Sequence, residues 1–177
     1  MAQLHRSGFK LRVGNDPSIM IKSWMVIGGV AIGLAIALGG LSTGRGSRWF
    51  RRLRRPSWLT FERAIPLIWI AIFICGAWSA YIVWEQNPGT PQTWWLMAFY
   101  LVLEIVTLAY TPMMLWLRRI NAGVVIGGTG FLIAIGLALT VFPVSQLAMF
   151  LLIPYLLWSP IGTYTTWAMS QLNPLDQ

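Results

Sequence analysis

Apolar residues run along this chain in long blocks separated by short polar breaks. Five blocks approach the ~20 residues that a helix needs to cross a hydrocarbon core about 30 Å thick. They predict helices over roughly 23–41, 64–83, 95–117, 122–141 and 147–169. A polar segment, 1–22, precedes the first block, and a short tail, 170–177, follows the last. NPGTPQ (87–92) is a turn-rich connector, 118–121 is another, and Pro143 ends the fourth block. The connector at 42–63 is the longest, and only it can do more than turn the chain. The fold class is therefore an all-α integral membrane protein, a five-transmembrane-helix bundle with a long connector between helices 1 and 2.

Composition agrees, with 56% hydrophobic and 10% charged residues against about a quarter charged in soluble proteins. The net charge of +8 is concentrated: seven arginines fall between 45 and 63, and Arg118 and Arg119 form a second cluster. Arg6, Lys10, Arg12 and Lys22 precede the first block. Apolar spans interrupt these clusters, so they read as charge that orients a membrane protein, with membrane lipid as neighbour and no nucleic-acid partner. With five spans the termini lie on opposite sides. The positive-inside bias places the 42–63 connector and the C-terminus in the cytoplasm and the N-terminus outside. The membrane is a bacterial inner or thylakoid membrane, or that of an organelle. The N-terminal segment has too few apolar residues before Met20 for a conventional signal peptide. His5 and Cys75 are the only residues of their types, which leaves little for a metal site and no intrachain disulfide.

Polar and aromatic residues inside the spans carry the remaining signal. In the fifth, Tyr155, Trp158, Gly162, Thr165 and Thr166 recur at helical spacing, whereas Trp167 points elsewhere as an interfacial anchor. Pro160 withholds the hydrogen bond that would reach Leu156 and bends the helix. Such a face fits equally a pocket wall and a helix–helix contact. In the second span Trp69 shares a face with Pro66, Phe73, Gly76 and Ala80, and Trp78 faces away. Trp24, Trp84, Trp94, Trp95 and Trp116 lie near span ends and form an aromatic belt.

Glu104 is the acidic residue deep in an apolar segment, with Thr107 and Tyr110 near its face as a local network. An intramembrane carboxyl must face the protein interior, where it contacts either a ligand or another helix. Gly29, Gly33 and Ala37 form a smooth ridge suited to close packing within the bundle or in a homodimer. In the connector, Trp49, Phe50, Leu53 and Trp58 alternate with arginines, a composition that suits a lid at headgroup level. Such a lid attracts anionic lipid or a carboxylate-bearing ligand.

RWFRRLRRPSW (48–58), Trp69 eleven residues on, and LLIPYLLWSPIGTYTTW (151–167) closely resemble the translocator protein / tryptophan-rich sensory protein (TspO/MBR) family. The resemblance is strong over the connector and helices 2 and 5, and holds in outline over helices 1 and 4. It implies a pocket between the helices, under the first connector, for tetrapyrroles such as protoporphyrin IX or haem. It implies no obligatory cofactor. Trp69 and Trp158 match the family's pocket tryptophans, implicated in porphyrin binding and breakdown. Trp49 and Phe50 match its connector pair, and Gly162 a small residue of the pocket wall, usually alanine. With Phe73, Glu104 and Tyr155 these form the candidate ligand-binding set.

The chain departs from the family pattern in places. Leu59-Thr60-Phe61 stands where Pro-Pro is frequent, helix 3 lacks the usual asparagines and Trp-Ser pair, and no Lys or Arg follows Tyr164 to complete a sterol-type pattern. The expected function is a tetrapyrrole receptor or carrier tied to tetrapyrrole metabolism, transport or stress and light signalling. The alternatives are a light- and oxygen-dependent porphyrin-degrading enzyme, in which Trp69 and Trp158 shape the reaction, and a scaffold for membrane complexes.

Overall fold

Hydrocarbon cannot hydrogen-bond a peptide group, so each apolar block must satisfy its backbone internally, and a helix is the open-ended way to do so. The computed structural model describes residues 22–41 and 44–176; residues 1–21, with His5, lie outside them. Its helices are α1 (Ser23–Gly39), α2 (Gly44–Arg52), α3 (Ile65–Gln86), α4 (Pro91–Leu117), α5 (Ile120–Val141), α6 (Gln146–Phe150) and α7 (Ile153–Leu172). Single 3-10 turns lie at Glu62–Ala64 and Pro174–Asp176, and no strand occurs among the described residues.

Four segments are long and apolar enough to cross a membrane: Glu62–Gln86, Pro91–Leu117, Ile120–Val141 and Gln146–Leu172. α1 supplies the fifth span. Its 17 residues are followed by α2, which turns away by 77°. In the bundle, α1 packs on α3 and α4, α4 on α5, α5 on α7, and α3 on both α4 and the α6–α7 pair. The protein is thus an all-α membrane bundle of five spans.

Helix ends follow local chemistry. α4 starts at Pro91, four residues before the expected 95, because the Thr90 hydroxyl accepts the Thr93 N–H and proline fits the first turn. Arg118 takes the left-handed conformation (φ 50°) that closes α4, so α5 begins at Ile120 instead of 122. α1 stops at Gly39, short of the expected 41, and α3 runs on from 83 to Gln86.

The fifth span differs most from its expected single run over 147–169. It is split at Leu151–Leu152, just before Pro154, which has no N–H for the carbonyl of Phe150. The Leu152 N–H reaches Met149 O, which leaves Ala148 O free of its usual helical partner. The fully buried Ser79 hydroxyl donates to that carbonyl at 2.6 Å, and Tyr100 OH bonds Ser79 in turn. α3 and α4 therefore repair the break in the fifth span.

The connector is no simple loop. α2 lies against the end of α4, where Gly46 approaches so closely that a Cβ would sit 2.6 Å from Leu115 O. Leu53 joins Ile120 and Met169 in a small core against which Trp49 and Phe50 pack. Asn173, just past α7, accepts the Arg54 N–H at 2.9 Å and donates to Arg54 O at 3.0 Å and Met169 O at 2.8 Å. The connector, the α4–α5 turn and the C-terminal end thus share one end of the bundle.

Asn173→Ala removes all three bonds and strands the Arg54 peptide. It should cost about 1–3 kcal/mol of stability. Amide exchange in nanodiscs should rise across residues 50–55; unchanged exchange there would show that the apolar cluster alone holds the connector.

Candidate functional site

α2 and the connector roof a cavity of about 730 Å³ whose walls come from every span. Its roof is Phe50, Arg51, Leu59 and Phe61. α3 contributes Trp69 and Phe73, while α7 contributes Tyr155, Trp158, Gly162 and Thr163. Aromatic edges set the shape. The Trp158 ring meets Phe61 edge-on at 6.2 Å, and Trp69 meets Tyr155 edge-on at 6.2 Å with Phe73 tilted beside it at 5.9 Å.

The hydroxyls on α7 are mostly committed within the protein. Thr165 and Thr166 bond back to Ile161 O and Gly162 O, at 2.7 and 3.0 Å. Tyr110 of α4 bonds Thr166 across the bundle. Tyr155 OH bonds Thr107 at 2.9 Å, and Gly130 makes room for that phenol, since a Cβ there would lie 2.7 Å from the oxygen. Thr163 Oγ1 is different: it is buried and has no partner. It borders the cavity one residue from Gly162, where an added Cβ would meet nothing within 4 Å.

Charge sits at the roof. Arg51 lines the cavity and is exposed. Arg55 is already engaged, donating to both oxygens of Glu62 at 3.0 Å with its guanidinium 5.3 Å from the Phe50 ring centre. Arg51 is therefore the roof cation that can turn toward a carboxylate inside the cavity.

Of the residues singled out in the sequence, Phe50, Trp69, Phe73, Tyr155, Trp158 and Gly162 come together around this cavity. Trp49 does not line it. Its indole N–H donates to Asp176 Oδ1 at 2.7 Å, which ties α2 to the C-terminal turn. Glu104 does not line it either; it faces a separate cavity. The network expected around Glu104 does not form, because Thr107 bonds Leu103 O and Tyr155, and Tyr110 bonds Thr166.

Phe61, Arg51 and Thr163 border the cavity but were not singled out. Phe61 stands in the stretch that departs from Pro-Pro, and its aromatic character beside Trp58 was the available signal. Thr163 lies one position from Gly162 but off the face that helical spacing gives to Thr165 and Thr166, so periodicity carried no signal for it. Trp78 and Trp167 do face outward, as expected, at 59% and 47% exposed.

The TspO/MBR family model matches residues 26–172 of this chain. The Tryptophan-rich protein TspO of Bacillus cereus is 28% identical over 128 residues, covering 71% of this chain and 80% of that protein. Translocator protein 2 of Homo sapiens is 30% identical over 138 residues, 74% of this chain and 79% of its own length. Protein CrtK of Rhodobacter capsulatus is 23% identical over 126 residues, 71% and 79% of the two chains. The match extends from within α1 to the last residue of α7 and takes in the whole roofed cavity, so this chain belongs to the TspO/MBR family.

Proposed function

We propose that this protein is a membrane-embedded receptor or carrier for tetrapyrroles such as protoporphyrin IX or haem. The observation that carries the reading is the roofed cavity, which combines Trp69 and Trp158 on its walls with Arg51 at its roof. Its volume of about 730 Å³ falls within the ~300–1,000 Å³ typical of small-molecule sites. A tetrapyrrole is flat and apolar with carboxylates at one edge. Indole faces and edges suit the ring, the Arg51 guanidinium suits a propionate, and the unpartnered Thr163 hydroxyl offers a further polar contact. Relatives named as translocator proteins support a role in binding or moving a ligand.

Charge placement supports an orientation as well. The connector and C-terminus share one end of the bundle, and 42–63 with 118–121 carry nine of the thirteen Lys and Arg residues, so that end belongs in the cytoplasm. In a Cys75→Ser background, a cysteine replacing Ser57 should resist a membrane-impermeant maleimide in intact cells, and one replacing Gln86 should label. The reverse pattern would invert the topology.

Protoporphyrin IX added to the purified protein in nanodiscs should give a saturable absorbance shift in darkness. Trp158→Phe should weaken it about tenfold by removing an N–H donor and aromatic area, a change of about 1.4 kcal/mol. Illuminated loss of the band with a defined product, slowed by the same substitution, would point to the porphyrin-degrading enzyme. A response equal to that of empty nanodiscs would leave the scaffold role in its place.

Gly162 provides a graded check on where the ligand sits. An alanine there meets no neighbour and should leave binding within about twofold, whereas Gly162→Trp should fill the cavity and abolish the shift. Equal binding by both variants would move the tetrapyrrole out of this cavity.

A further inference from the structure

A second cavity, of about 700 Å³, lies between α1, α3, α4 and the start of the fifth span. Phe73, Thr107 and Tyr155 border both cavities and form the wall between them. From that wall the second cavity extends toward the opposite end of the bundle, where Ser23, Trp84 and Trp94 line it and the two indoles meet edge-on at 5.0 Å. Its flanks are apolar, lined by Val26 and Val30 of α1 and by Ile72 and Gly76 of α3.

One group breaks this apolar lining. Glu104 projects from α4 to the cavity, and its Oε1 is buried without a hydrogen-bond partner. Neighbouring hydroxyls are bound elsewhere: Thr107 to Leu103 O and Tyr155, and Tyr100 to Ser79. Among the described residues that line the cavity there is no Lys, Arg or His. Glu104 is half-buried, and an ionised carboxyl kept from water without donor or counter-charge costs several kcal/mol, so it takes up either a proton or a cationic partner; such a group inside a membrane protein marks a site. α1 forms the outer wall. It has no buried residue, and Gly29 and Gly33 have no neighbour within 4 Å of an added Cβ.

We propose that this second cavity is a separate ligand site for a lipid-soluble ammonium, whose N–H pairs with the Glu104 carboxyl while its apolar body fills the space beside Gly76. An ammonium supplies both things that the Glu104 carboxyl lacks, a donor and a positive charge. Glu85, held by the Ser23 hydroxyl where α1 begins and α3 ends, adds a second acidic group near the mouth, which favours cations over carboxylates. A neutral alcohol supplies the donor without the charge, so it serves as the comparator.

The test is native mass spectrometry of the full chain, released from detergent micelles, titrated with dodecylamine or dodecanol. The wild-type chain should take up one dodecylamine at saturation and bind dodecanol about tenfold more weakly or worse. Glu104→Gln keeps the shape and removes the charge, and should weaken the amine about tenfold while leaving the alcohol little changed. Gly76→Leu fills the cavity from a position where a Cβ meets nothing within 4 Å, and should weaken both probes. If Glu104→Gln does not elute as a folded species, Gly76→Leu decides. Equal uptake of amine by wild type and Gly76→Leu, or equal binding of amine and alcohol by the wild type, would overturn the proposal.

Discussion

Inside the bilayer a polar atom that turns outward finds no partner, and this one constraint arranges the interior of the bundle. Thr165 and Thr166 bond back along their own helix, and Ser79 takes the carbonyl released by the break in the fifth span. Tyr110 and Tyr155 reach across to threonines on facing helices. Two buried side-chain atoms among the described residues stay unmatched, Thr163 Oγ1 and Glu104 Oε1. Each borders a different cavity. Each cavity thus has one residue in its wall with an unpartnered polar atom, Thr163 packed close to Gly127 and Glu104 on α4.

The two spaces stay separate because of one short contact chain. Tyr155 stands between them, held by Thr107 at its hydroxyl and by Trp69 at its ring edge. Gly130 admits its oxygen. Packing and hydrogen bonding thus act on the same residue, so the wall is stiffer than its apolar neighbours would make it.

At the other boundary of the main cavity the roof is assembled from parts distant in sequence. α2 depends on Gly46 for its close seat on α4, on Leu53 for its apolar anchor, and on Asn173 and Asp176 for its tie to the C-terminal end. The Arg55–Glu62 pair is partly exposed and contributes little to stability, though it commits one arginine and leaves Arg51 beside the cavity. Roof and fifth span are in this way one unit, and what moves the C-terminal turn also moves the cover of the cavity.

Hydropathy determined the number of spans and the place of the long connector, and helical spacing turned Trp78 and Trp167 outward and set Tyr155, Trp158 and Gly162 on one face of helix 5 without saying whether that face meets a cavity or a helix. Tertiary structure decided the rest. Whether an apolar residue faces lipid or a neighbouring helix leaves no mark on hydropathy, since both surroundings are equally apolar. Only packing turned Glu104 away from the main cavity, gave Trp49 to Asp176 127 positions away, and brought Phe61 onto Trp158. The split at Leu151–Leu152 likewise depends on a rescuing hydroxyl, Ser79, that lies 69 residues from the carbonyl it satisfies.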